Sequence, residues 1–210
     1  VGPIENVSFL SPFKFYRNQP RPVTLHADFS LDHGDIIASC RLVGARTLHG
    51  QAQAEITTHF TGRVWLVRKT APGWKRKKIV APADGKKVDA GSIYKLYFHG
   101  PAYQVLESSW RSGDEVVGLF AKNLPANHEP VELPTLVVPR LIELCFQTAG
   151  MWEMAVKSRM GLPYQIGQVN VLRAPEETKT RKLYAVTKSK DDESFDAQVI
   201  DEKGNVYITL

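Results

Sequence analysis

Val138-Pro139-Arg140-Leu141-Ile142-Glu143-Leu144-Cys145-Phe146-Gln147-Thr148-Ala149-Gly150 sets one carboxylate and one amide into a run of hydrocarbon. At ~100° per residue, Glu143 and Gln147 stand one turn apart on the same helical face. Leu141, Ile142, Leu144, Cys145 and Phe146 surround them, which predicts a helix buried on most of its sides. Pro139 suits a first helical turn, and Gly161 with Pro163 beyond it stops the pattern, so the predicted helix spans Pro139–Met160. Burial disfavours the ionised form of a carboxyl, so an acid placed here can hold a proton near neutrality. Gln147 would hydrogen-bond that carboxyl and fix its rotamer. These are the ingredients of a general acid. A purely structural Glu–Gln pair, or a Glu143 that reaches the surface, fits the same residues.

Outward from this helix the chain alternates as strands. Asn6 to Phe15, Val23 to Phe29, Ile36 to Val43 and Gln51 to Val67 precede it, with Leu31-Asp32-His33-Gly34-Asp35 as a turn. Val105 to Trp110 and Glu115 to Phe120 form a hairpin pattern around Ser112-Gly113-Asp114. Gln168 to Leu172, Lys182 to Thr187, Phe195 to Ile200 and Val206 to Leu210 follow the helix. The expected fold is therefore α+β. One curved antiparallel sheet wraps a single long helix in the second half, a hot-dog arrangement, and the first half holds a helix-less partial copy. The boundaries drawn from the pattern are 1–69 for the partial unit, 70–91 for a basic Pro/Gly-marked linker, and 92–210 for the complete unit.

The composition is that of an ordinary globular chain, with 43% apolar and 23% charged residues, so global disorder is excluded. The two cysteines, Cys40 and Cys145, lie in apolar runs and read as reduced thiols of a cytoplasmic protein. No apolar run reaches the ~18 residues of a membrane span, and no Cys/His spacing suggests a metal, nor any Gly-rich loop a nucleotide. Charge is uneven. Arg63, Arg68, Lys69, Lys75, Arg76, Lys77, Lys78, Lys86 and Lys87 face only Asp84, a local +8 in a chain of net +5. Such a segment is either a landing site for an acidic partner or a linker kept soluble by charge. Trp74 is the only aromatic between Arg68 and Lys87, which gives nucleic acid little support.

Three short motifs together resemble the dehydratase domain of polyketide and polyunsaturated-fatty-acid synthases, a double hot-dog. Pro139-Arg140-Leu141-Ile142-Glu143-Leu144-Cys145-Phe146-Gln147 resembles that family's D-x-x-x-[QH] motif, with Glu for Asp. Leu96-Tyr97-Phe98-His99-Gly100-Pro101-Ala102-Tyr103 resembles G-Y-x-Y-G-P-x-F, departing at Leu96, His99 and Tyr103. Leu162-Pro163-Tyr164-Gln165-Ile166 resembles L-P-F-x-W, departing at Tyr164 and Ile166. The family's histidine motif, H-x-x-x-G-x-x-x-x-P, is matched at none of His26, His33, His49, His59, His99 and His128. The chain thus resembles a member without the first portion of the domain.

The resemblance implies removal of water from a 3-hydroxyacyl thioester, carried on the phosphopantetheine of an acyl carrier protein, with no separate cofactor and no metal. Glu143 would be the acid and Gln147 its orienter. Tyr97, His99, Gly100, Pro101, Pro163 and Tyr164 would shape the substrate channel. Each also has a plainer reading: a packed tyrosine, a turn histidine, a turn Gly-Pro, and core packing for Pro163 and Tyr164. Lys75, Arg76, Lys77 and Lys78 would dock the carrier protein. Expected partners are that carrier protein and other synthase domains, with homodimerisation left open and neither nucleic acid nor membrane involved. Without the histidine, a fragment would have no useful activity. Two further readings stay open: a non-catalytic hot-dog for acyl or carrier binding or for dimerisation, and a basic module for an acidic partner.

Overall fold

A computed structural model of the chain describes residues 2–15, 20–47, 53–69, 71–82, 87–126, 137–174, 177, 180–191 and 193–210. It divides into two compact units. One comprises Val1–Thr70 with Leu162–Asn170, the other Ala71–Gly161 with Val171–Leu210.

The first unit is an antiparallel sheet. β1 (Ile4–Phe9), β2 (Val23–Asp32), β3 (Asp35–Arg46), β4 (Glu55–Leu66) and β8 (Gln165–Val171) lie in the order β2-β3-β4-β1-β8. β2, β3 and β4 are the predicted meander, with Leu25 opposite Leu42 and Leu42 opposite Phe60. Asn6, at positive φ, marks a bulge in β1 between Glu5 and Ser8. The boundaries read from the sequence gave 162–170 to the second unit. Instead β8 pairs with β1, Val7 opposite Ile166 and Ile4 opposite Val169. Period-2 alternation identifies a strand but carries no information about which sheet receives it. This unit has no helix among its described residues, and the apolar face of edge strand β2 remains open, with Leu25, Phe29 and Leu31 at least two-thirds exposed.

The second unit carries the one long helix. After β5 (Val88–Asp89) and the single turn α1 (Ala90–Ile93) come β6 (Leu106–Ser112), β7 (Glu115–Phe120) and α2 (Pro139–Lys157). β9 (Leu183–Ser189), β10 (Phe195–Asp201) and β11 (Val206–Thr209) complete an antiparallel sheet in the order β11-β10-β9-β7-β6-β5. Pro139 opens α2, and the helix ends slightly earlier than predicted, at Ser158 in the left-handed region (φ 52°). Beyond that end the chain folds back on Glu153, which accepts from the Gly161 amide and pairs with Arg159. α2 lies on β7, β9 and β10 through Leu141, Leu144, Cys145 and Thr148. Fully burying each of the two leucines contributes about 1.5–3 kcal/mol. Close approach is possible because Gly118 on β7 faces Thr148, and Gly150 faces the Tyr97 hydroxyl, where a Cβ would collide. Trp110, Val117, Leu119, Tyr184, Val186, Ile200 and Val206 form a core cluster in this unit.

The basic segment is not a free linker over its described residues. The Arg76 amide donates to the Gly204 carbonyl and the Val206 amide to the Trp74 carbonyl, while Ile79 packs on the core cluster. Arg76 also grips both carboxylate oxygens of Glu115, at 3.0 and 2.9 Å. Proline, glycine and lysine content signalled a loop, but not that its backbone would be tied to the β10–β11 turn. No helix among the described residues is long and apolar enough to cross a membrane.

Candidate functional site

The site forms where the stretch after α1 meets the first half of α2. α1 is started by Asp89, whose carboxylate accepts from the Ser92 amide, and its last turn is continued by Leu96 and Tyr97 amides bonded to the Ile93 carbonyl. Tyr94 and Tyr97, three residues apart, therefore point to the same side. Gly100 opens a 3-10 turn at Pro101–Tyr103, and Gln104 donates to the His99 carbonyl. This turn carries His99 and the Tyr103 carbonyl to α2, so Gly100 and Pro101 act here as shapers of backbone.

Glu143 and Gln147 are joined as their spacing predicts: Gln147 Nε2 donates to Glu143 Oε1 at 2.9 Å. Its second amide proton goes to the Tyr103 carbonyl at 2.8 Å. Gln147 Oε1 accepts from Tyr94 Oη at 2.7 Å, and that hydroxyl oxygen accepts from the Leu106 amide at 2.7 Å. Tyr97 Oη donates to the Gln147 backbone carbonyl, again at 2.7 Å. His99 Nε2 stands 2.9 Å from the same Glu143 Oε1, with 19% of the histidine side chain and 23% of the glutamate side chain exposed. Phe98 stacks on the His99 ring at 4.9 Å between centroids, and Tyr97 meets it edge-on at 5.4 Å.

Burial, with the neighbouring Glu143 charge adding to it, pushes the Tyr94 hydroxyl up to about 12, against an opposing pull from the Leu106 amide. Tyr97 is pushed up further, first by burial and then by Tyr94 and Glu143. Cys145, wholly buried, is raised to about 12 by burial and by the Glu143 charge. Every hydroxyl around the carboxylate thus stays a proton donor at neutral pH. The arrangement holds one carboxyl in a fixed rotamer, three-quarters covered, with all its described contacts on one oxygen.

The remaining expected residues are not among these contacts. Pro163 and Tyr164 belong to the first unit and are exposed, Tyr164 by 75%, its carbonyl accepting from the Phe9 amide. Core packing is therefore not their role. Lys75, Lys77 and Lys78 are exposed, whereas Arg76 is engaged by Glu115 and Gln198. His49, Lys86 and His128 lie outside the described residues. Tyr94 was missed from the sequence. Its signal was the three-residue spacing from Tyr97, hidden because α1 is one turn long.

The fold has close likenesses among solved structures. A dehydratase domain of a trans-AT polyketide synthase from Brevibacillus brevis superposes with a TM-score of 0.70 at 15% identity, covering 99% of this chain and 72% of that one. The dehydratase domain from the CurF module of curacin polyketide synthase gives 0.69 at 14%, covering 99% and 73%. The erythromycin dehydratase gives 0.66 at 18%, covering 99% and 71%. No curated protein matches the sequence. The family model described as polyketide synthase dehydratase N-terminal domain matches residues 77–210, the span that holds α2, Glu143, Gln147 and His99. With most of its length inside that match, the chain belongs to the polyketide synthase dehydratase family.

Proposed function

We propose that this chain carries the acid half of a dehydratase site, acting on 3-hydroxyacyl thioesters presented on the phosphopantetheine of an acyl carrier protein. Glu143, held on Oε1 by Gln147 within a hydrogen-bonded chain that ends at the Leu106 amide, is the observation that carries the reading. Hydroxide is a poor leaving group, so the C3–O bond breaks readily only if a protonated acid stands beside it. Glu143 gives its proton to the departing oxygen, which leaves as water. The α proton goes to a base. By the resemblance that base is a histidine in H-x-x-x-G-x-x-x-x-P, and no histidine of this chain sits in that pattern. The carboxylate left behind keeps the Gln147 donor, and no cofactor enters the step.

Carrier docking is assigned to Lys75, Lys77 and Lys78, whose exposed charge would attract an acidic carrier and weaken with salt. The test is dehydration of a 3-hydroxyacyl carrier protein by a polypeptide that joins this chain to a segment bearing the H-x-x-x-G-x-x-x-x-P histidine, read by mass as loss of water. Glu143→Gln should lower the rate by about 10²–10⁴-fold. An unchanged rate would remove Glu143 from the chemistry and favour a non-catalytic hot-dog.

A further inference from the structure

We propose that His99 is a positioning residue that fixes which oxygen of Glu143 carries the working proton, an inference that rests on the acid role given above. The directions of the surrounding hydrogen bonds are forced. The Leu106 amide can only donate, so the Tyr94 oxygen accepts from it and its own proton goes to Gln147 Oε1. The Tyr103 carbonyl can only accept, so Gln147 Nε2 is the amide end that faces it. The same NH₂ group then donates to Glu143 Oε1. Oε1 is an acceptor whether Glu143 is a carboxylate or an acid protonated on Oε2.

His99 Nε2 approaches that same Oε1 at 2.9 Å, and the other ring nitrogen decides which of the two brings the proton. Its other nitrogen, Nδ1, is buried and has no hydrogen-bond partner among the described residues. A proton on Nδ1 would be an unpaired buried donor, costing about 1–3 kcal/mol, whereas a bare nitrogen there needs only to forgo an acceptor contact. The ring therefore sits as the Nε2–H tautomer, clamped between Phe98 and Tyr97. Two donors on Oε1 leave Oε2 as the oxygen that holds and delivers the proton. When Oε2 gives its proton to the leaving hydroxyl, the charge that appears on the carboxylate meets both donors on Oε1. With no partner for the buried Nδ1 among the described residues, no route carries a proton through the ring, so His99 supplies a hydrogen bond and no acid–base step.

This sets His99 apart from a histidine base, and the two roles separate on substitution. Glutamine places an amide N–H near the position of Nε2 but does not titrate; phenylalanine keeps the ring shape and removes the donor. Nitrogen-15 NMR of the histidine-labelled 210-residue chain should show His99 as the Nε2–H tautomer with a slowly exchanging ring proton. The signal should persist in Glu143→Gln, which keeps an acceptor oxygen, and be lost in Glu143→Leu. In dehydration assays of the same joined polypeptide, His99→Gln should stay within about threefold of the parent, and His99→Phe should lose on the order of 10²-fold in kcat at unchanged KM. An Nδ1–H tautomer, a ring proton indifferent to Glu143→Leu, or equal loss in His99→Gln and His99→Phe would overturn the proposal. If instead Glu143→Gln leaves dehydration intact while the tautomer is as stated, the acid role fails and the hydrogen-bond assignment stands.

Discussion

Tyr94 Oη sits 2.7 Å from Gln147 Oε1 and 2.7 Å from the Leu106 amide, so one hydroxyl orients the amide that orients Glu143. Removing it leaves a buried Leu106 N–H and the Gln147 carbonyl oxygen unpaired. Tyr94→Phe should therefore destabilise the chain by about 2–6 kcal/mol in urea denaturation, with each of the two orphaned groups contributing about 1–3. Tyr97→Phe removes only a donor to a helix carbonyl and should cost about 1 kcal/mol. Equal effects would mean that the Tyr94 bridge is not the anchor of the network.

Much of this site could be read from spacing alone. Glu143 and Gln147 four apart in an apolar helix gave their contact directly, and Pro139 gave the start of α2. Burial and the Gln147 donor were the influences on Glu143 that the sequence exposed. The second donor on Oε1 comes from His99, far away in sequence, which the backbone ahead of a 3-10 turn brings to α2. Long-range strand placement was equally hidden. Gln165–Val171 alternates like any half-buried strand, and its partner β1 lies at the far end of the sequence.

Arg76 and its lysine neighbours should separate cleanly. Arg76 Nη2 reaches both carboxylate oxygens of Glu115, with both side chains more than three-quarters covered, so Arg76→Ser leaves a mostly covered carboxylate unpaired and should cost about 1–2 kcal/mol. Lys75, Lys77 and Lys78 are exposed, and their joint replacement by serine should change stability by no more than about 0.5 kcal/mol. The triple variant is thus the clean probe of docking. Carrier-protein affinity, measured across a salt series, should fall and its salt dependence flatten. Unchanged affinity at low salt would remove this face from carrier recognition.

Alkaline pH should loosen the second unit before it affects the folded hydroxyls and thiol directly. Burial raises Cys145 from 9.0 to about 12 and Tyr94 from 10.0 to about 12. Below their ordinary values both states hold these protons, and the contribution to stability is complete. As pH climbs from 9 toward 12, the unfolded chain ionises while the folded one does not, so stability falls and the contribution is gone by about pH 12. The urea midpoint should decline steadily from about pH 9 upward, and Cys145→Ala should delay the onset toward the tyrosine range. A midpoint constant between pH 8 and 11 would contradict the burial of these groups.

Gly113 and Gly204 both adopt positive φ, 66° and 82°, yet they should respond differently to alanine. At Gly113, in the β6–β7 turn, nothing lies within 4 Å of where a Cβ would stand, so Gly113→Ala meets only the left-handed backbone cost of about 1–2 kcal/mol. At Gly204 the same Cβ would run into the Arg76 carbonyl, which lies against the turn that Asp201 caps. The Arg76 amide donates to the Gly204 carbonyl, so any shift that relieves the collision also weakens the tie between the basic segment and the β10–β11 turn. Gly204→Ala should therefore cost clearly more than Gly113→Ala, by at least about 1 kcal/mol, since overpacking adds to the backbone cost. Hydrogen exchange should show the Arg76 and Val206 amides losing protection in Gly204→Ala but not in Gly113→Ala. Equal destabilisation with protection retained would show that the segment from Trp74 to Arg76 is not held by this turn.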